Sequence, residues 1–124
     1  MKKLIILLAV FVLQGCALLD AYQMAKFDNN EYYIINQIQT SSALGEKHCG
    51  TKYAKPLVNK MWIKVNEFNN YTNSIPHNEE TITMSGALLE ISKGLHIKYN
   101  NDPNVSKTYC KLKFELLNKN AVTI

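Results

Sequence analysis

Side chains able to do covalent or metal chemistry are few in this chain and stand apart from one another. His48, His77 and His96 are isolated in sequence. None has a His or carboxylate partner at a spacing such as H-x-x-x-H, which would set two ligands on one helix face. No metal site is expected. His48 precedes Cys49, and an imidazole beside a thiolate can activate a nucleophile. Activation also requires an electropositive, partly open setting that the neighbouring residues do not supply, so a structural Cys49 with an exposed neighbour is expected. Glu79 and Glu80 are adjacent, and adjacent residues on a helix diverge by about 100 degrees, so they cannot act as a facing acid pair. Their charge suits the positive end of a helix dipole instead. No G-x-S-x-G turn, P-loop or glycine-rich phosphate cradle is present, and no catalytic residue is assigned. The remaining candidates are aromatic. Trp62 with Tyr71, or the pair Tyr32-Tyr33, could stack on sugar rings or on a partner, although rings at helical spacing also serve as core.

The most informative stretch is Met1 to Asp20, MKKLIILLAVFVLQGCALLD. Lys2 and Lys3 precede an apolar run from Leu4 to Leu13. A run of about ten residues has the length of a signal-peptide core and is too short to span a bilayer. Leu13-Gln14-Gly15-Cys16 follows, and the whole segment resembles the signal and lipobox of bacterial lipoproteins. The resemblance covers roughly the first seventeen residues, with Gln14 standing where a small residue is usual. It implies cleavage before Cys16, diacylation of the Cys16 thiol and acylation of the new amino terminus. Covalent lipid on Cys16 is the only non-protein group expected. Ala17 stands where an Asp would signal retention in the inner membrane, so the resemblance implies the outer membrane. With two or more acyl chains at about 0.8 kcal/mol per buried CH₂, such an anchor is stable. The competing reading is an ordinary secretory signal in which Cys16 has no role.

If Cys16 carries lipid, Cys49 and Cys110 remain as an even pair in an oxidising compartment. A bridge between them is expected, with free thiols or an intermolecular bridge as alternatives. It would close a loop of about sixty residues and stabilise the fold by roughly 4 kcal/mol. Removing 1–15 takes Lys2 and Lys3 away, leaving twelve lysines against ten carboxylates, a balance of +2. The chain has no Arg, its lysines are spread along the sequence, and no nucleic-acid partner is expected.

Three segments divide the chain: a signal peptide over 1–15, a lipidated Cys16 with a membrane-proximal helix or tether over 16–27, and one domain over 28–124. Its length suits a single core. Asp28 stands three residues before Glu31, the spacing of a capping box, and predicts a helix from about Asn29 to about Glu46. Tyr32, Ile35, Ile38 and Ser42 mark its inner face until Gly45 to Gly50 interrupts it. Pro56 suits the first turn of a second helix, whose apolar face carries Leu57, Met61, Val65 and Phe68 with Val58 and Trp62 beside them. Asn78 is a candidate N-cap for a third, built on Met84, Leu88, Ile91 and Leu95, with Gly86 and Ser92 as positions for close packing. Beyond Asn100-Asn101-Asp102-Pro103-Asn104, Ser106 could cap a fourth. There Cys110, Leu112, Phe114 and Leu116 also alternate with polar residues, as a β-hairpin would require. Helix is favoured because Leu116-Leu117 breaks the alternation and a lone hairpin is weak.

The expected fold is therefore all-α, a small up-down-up-down bundle closed by one disulfide at its membrane-distal end, with an α+β fold ending in a hairpin as the alternative. The function expected is that of a non-enzymatic, outer-membrane-anchored lipoprotein facing the periplasm, a structural or interaction module with an envelope protein partner. The alternatives are a phage-type lysis subunit, since the chain looks like the o-spanins that meet an inner-membrane coiled-coil protein, a superinfection-exclusion lipoprotein, or a periplasmic enzyme or enzyme inhibitor.

Overall fold

The computed structural model describes residues 28–122, so the signal peptide and Cys16 with its tether lie outside the described residues. Four helices follow in order: α1 (Asn29–His48), α2 (Ala54–Asn73), α3 (Glu79–Asn101) and α4 (Lys107–Val122). Each packs on the next, and α4 returns to α1 to close the ring. This is the expected up-down-up-down bundle, with no strand among the described residues. The hairpin alternative fails because Cys110, Phe114, Leu117 and Ala121 are the buried residues of α4, a helical spacing. Leu112, which the alternating pattern had placed with them, is exposed.

Local signals start and stop these helices. Asp28 Oδ1 accepts from the backbone amides of Asn30 at 2.8 Å and Glu31 at 3.0 Å, a side-chain N-cap of α1. The Glu31 side chain does not turn back to complete the capping box; its carboxylate accepts instead from Asn78 Nδ2. Asn78 consequently makes no side-chain cap for α3, contrary to expectation, because its amide is drawn into this contact and to the carbonyl of Thr72 at 3.2 Å. Ser106 Oγ accepts from the amide of Tyr109 at 3.1 Å and caps α4 as expected. Gly50 takes φ 82 in the turn after α1, a left-handed conformation that suits residues without a Cβ.

The core runs down the centre of the ring. Ile35 and Ile38 of α1 meet Val58, Met61, Val65 and Phe68 of α2, Leu88 and Leu95 of α3, and Phe114 and Leu117 of α4 in one buried cluster. Each such side chain contributes about 1.5–3 kcal/mol when taken out of water. Tyr32, expected on the inner face, is 58% exposed, since α1 turns its Ile35, Ile38, Ser42 and Gly45 stripe inward and leaves Tyr32 at the edge. Leu57 likewise lies at the rim of the core.

Two small residues behave differently from expectation. Gly86 has open space where a Cβ would stand, so no neighbour packs closely there, whereas Ser92 is buried. The close approach is at Gly45, which continues α1 instead of interrupting it. A Cβ on Gly45 would lie 2.3 Å from the ring of Phe114, so α4 rests directly on the α1 backbone.

Candidate functional site

Sequence pointed to Cys49, Cys110, Trp62, Tyr71, Tyr32 and Tyr33, and the bundle distributes them over four places. At one end Cys49, just past α1, is bonded to Cys110 of α4, with 5.7 Å between the Cα atoms and both residues buried. His48 packs edge-on against Tyr53, with ring centroids 5.7 Å apart. A thiolate–imidazole pair is thus excluded by the bond itself.

Tyr71 serves the opposite end. Its hydroxyl donates to the Asp28 carboxylate, 3.1 Å from each oxygen, and accepts from Asn30 Nδ2 at 3.2 Å. It therefore ties the end of α2 to the start of α1. The backbone amide of Glu31 is the main cause holding the Asp28 carboxyl below the usual carboxylate range; the Tyr71 hydroxyl and the amide of Asn30 add to it against partial desolvation. Glu31 moves the other way, because burial pushes its carboxyl up more than the Asn78 bond pulls it down, and the charge of Asp28 adds to the rise. Below this cluster, Thr72 and Ser85 share a hydrogen bond at 3.1 Å and Asn69 donates to Ser85 Oγ at 2.8 Å, fixing α2 against α3.

Trp62 is partly buried on the outer face of α2 and α3, stacked on His96 with centroids 5.3 Å apart and an interplanar angle of 13°. His96 Nδ1 lies 3.1 Å from Asn59 Oδ1 and Nε2 lies 3.1 Å from Asn100 Nδ2. Those partners assign the proton to Nδ1, with Nε2 accepting from the Asn100 amide. Tyr33, 63% exposed, edges an open groove of about 250 Å³ with Asn36, Gln37, Thr40, Ser41 and Lys64. In that groove Lys64 Nζ donates to Gln37 Oε1 at 2.6 Å. The aromatic candidates do not converge: Tyr71 supports an end of the bundle, Trp62 faces one side and Tyr33 another.

Sequence reasoning missed a second groove, about 270 Å³, between the end of α1 and the start of α2, lined by Leu44, His48, Tyr53, Pro56, Leu57 and Lys60. Leu44 is 46% and Tyr53 54% exposed. The available signal was Leu44 itself, an apolar residue immediately beside Gly45 and therefore off the buried stripe of α1. Sequence also read the lysines as dispersed, which the fold corrects. The half of the bundle holding the disulfide, residues 39–63 and 91–122, carries ten lysines against three carboxylates. The other half, 28–38 and 64–90, carries one lysine against six carboxylates. No group of three His, Cys, Asp or Glu side chains that could hold a metal ion occurs among the described residues, and no helix there is long and apolar enough to cross a membrane.

Comparison with protein families, with characterised proteins and with solved structures gives no match.

Proposed function

We propose that the chain is a lipoprotein anchored in the outer membrane through acylated Cys16, and that its four-helix domain works in the periplasm as a non-enzymatic interaction module. The observation that carries this reading is Leu13-Gln14-Gly15-Cys16 behind Lys2-Lys3 and the apolar run. The buried Cys49–Cys110 bond supports it, since such bonds form and persist in oxidising compartments such as the periplasm. So does the economy of cysteines: of the chain's three, two are bonded to each other and Cys16 remains for lipid.

Under this reading the domain has an orientation. The chain enters it at Asp28, at the end of α1 opposite the disulfide. A connection of twelve residues, 16–27, spans at most about 40 Å. The acidic half then faces the anchor and the lysine-rich half faces away from it. Anionic lipid headgroups attract basic segments within about a Debye length, so an acidic membrane-proximal half favours a domain standing off the surface.

The test is Cys16→Ser in cells fed a labelled fatty acid. The wild-type chain is expected to take up label and sediment with the outer membrane, and Cys16→Ser to lose both label and membrane association. A Cys16→Ser chain that is still cut and still fractionates with the outer membrane would remove the lipid anchor from the account.

A further inference from the structure

We propose that the disulfide end of the bundle is a docking face for an acidic segment of a partner protein, whose apolar side chain seats in the groove between α1 and α2. The proposal gives the interaction module above its partner chemistry, and takes from that reading only the direction in which the face points.

Three observations converge on this end. The groove has aliphatic and aromatic walls, Leu44, Leu57, Pro56 and Tyr53, and two of these side chains are about half exposed although the neighbouring core is fully buried. An apolar patch rimmed by charge is the usual anatomy of a protein contact. The charge around it is mainly of one sign: Lys60 lines the groove, Lys47, Lys52 and Lys55 are exposed on the same chain segments, none of the four forms an ion pair among the described residues, and Glu46 is the single carboxylate in 39–63. With ten lysines against three carboxylates, the surrounding half of the molecule extends that field and would steer an anionic partner in. Finally, the groove is held in shape. Tyr53 is braced by the edge of His48 at 5.7 Å and by Lys52 Nζ 5.2 Å from its ring, and the adjoining turn is locked by the Cys49–Cys110 bond. A preformed groove spares the ordering cost of binding. Aliphatic walls select a Leu, Ile or Phe side chain over the polar surface of a glycan or a sugar–phosphate backbone, and the lysine rim selects acidic neighbours for it.

The experiment uses the purified full chain in mild detergent, so that it stands apart from lipidation, which the Cys16→Ser fractionation addresses. Fluorescence anisotropy measures binding of a labelled peptide in which leucines are set among glutamates, beside its glutamine-for-glutamate analogue; isolated peptidoglycan sacculi and a single-stranded oligonucleotide form the other arms. The glutamate peptide is expected to bind, the glutamine analogue to bind at least about tenfold more weakly, and affinity to fall as salt is raised. Lys55→Glu with Lys60→Glu, and separately Leu44→Asp, should each weaken the glutamate peptide about tenfold or more, whereas Lys64→Glu in the other half should change it less than about twofold. Melting curves establish that each variant is folded, and Leu44→Gln replaces Leu44→Asp if the latter is not. The proposal is overturned if the glutamate peptide does not bind, if the groove and rim substitutions leave its affinity unchanged, or if sacculi or the oligonucleotide bind through the same lysines more tightly than the peptide.

Discussion

Gly45 shows how much a single residue can decide. Its hydrogen leaves room for Phe114 to lie against the backbone of α1, and any Cβ would overlap the ring by more than flexible packing absorbs. Gly45→Ala gains the small helix propensity of Ala but forces the aromatic ring or the whole of α4 to move. Overpacking of this kind costs about 1–3 kcal/mol, which exceeds the propensity gain of about 1 kcal/mol. We expect a lower urea midpoint for Gly45→Ala and partial recovery when Phe114→Leu is added, because the shorter side chain vacates the space. A Gly45→Ala protein as stable as wild type, with an unshifted Phe114, would show that the contact is looser than its geometry implies. Tyr71 teaches the complementary lesson: one hydroxyl bonded to Asp28 makes a partly buried ring part of a helix cap and gives it a structural task.

Among the elements, α4 depends most on its neighbours. It is the shortest of the four described helices, with sixteen residues, and helices near that length are marginal in water on their own. Three tertiary ties hold it to α1: the Cys49–Cys110 bond, Phe114 on Gly45, and a hydrogen bond from Gln39 Nε2 to the carbonyl of Ala121 at 3.0 Å. The bond closes a separation of 61 residues, and the loop-entropy relation makes that worth about 4 kcal/mol. Replacing both cysteines with serine should therefore lower unfolding free energy by roughly 2–5 kcal/mol in denaturant melts. Hydrogen exchange of the double variant should show α4 and the last turns of α1 losing protection before α2 and α3, which hold each other through Phe68, Leu88 and the Asn69–Ser85–Thr72 bonds. Uniform loss of protection across all four helices would instead make the bundle one cooperative unit without a weaker member.

At the scale of the molecule, the four-helix domain over 28–122 is electrically polar along its axis. Like charges gathered in one half repel one another, and screening should relieve that repulsion. The Debye length falls from about 30 Å at 0.01 M salt to below 10 Å at physiological strength, comparable to the spacing of surface lysines. Raising salt should therefore raise the melting temperature of the wild-type domain, and a variant with Lys52→Gln, Lys55→Gln and Lys60→Gln should melt higher at low salt and respond less. A melting temperature that falls with salt would mean that attraction between the two halves outweighs repulsion within one. Stability sacrificed to a clustered charge is the signature expected of a face kept for a partner, which joins this measurement to the docking proposal.

Much of the fold was legible in the sequence because its determinants are local. A period of 3.6 residues, the cap at Asp28, the cap at Ser106 and the turn at Asn100 to Asn104 all act within a few residues, and they specified four helices and their order. The Cys49–Cys110 pairing followed from reserving Cys16 for lipid, and antiparallel helix order brought the two cysteines to the same end. The resemblance of Leu13-Gln14-Gly15-Cys16 to a lipobox is likewise a local pattern, which is why localisation could be proposed from sequence. Tertiary structure alone decided the contacts that depend on how helices rotate and slide against each other: Tyr71 on Asp28 across 43 positions, Glu31 on Asn78 across 47, and Phe114 on Gly45. Rotation also decided that Tyr32 and Leu57 leave the core. The lysines appear scattered when read along the chain because antiparallel helices visit each end twice in alternation; only folding superposes 47–60 on 93–113 and turns a dispersed set of charges into one basic end.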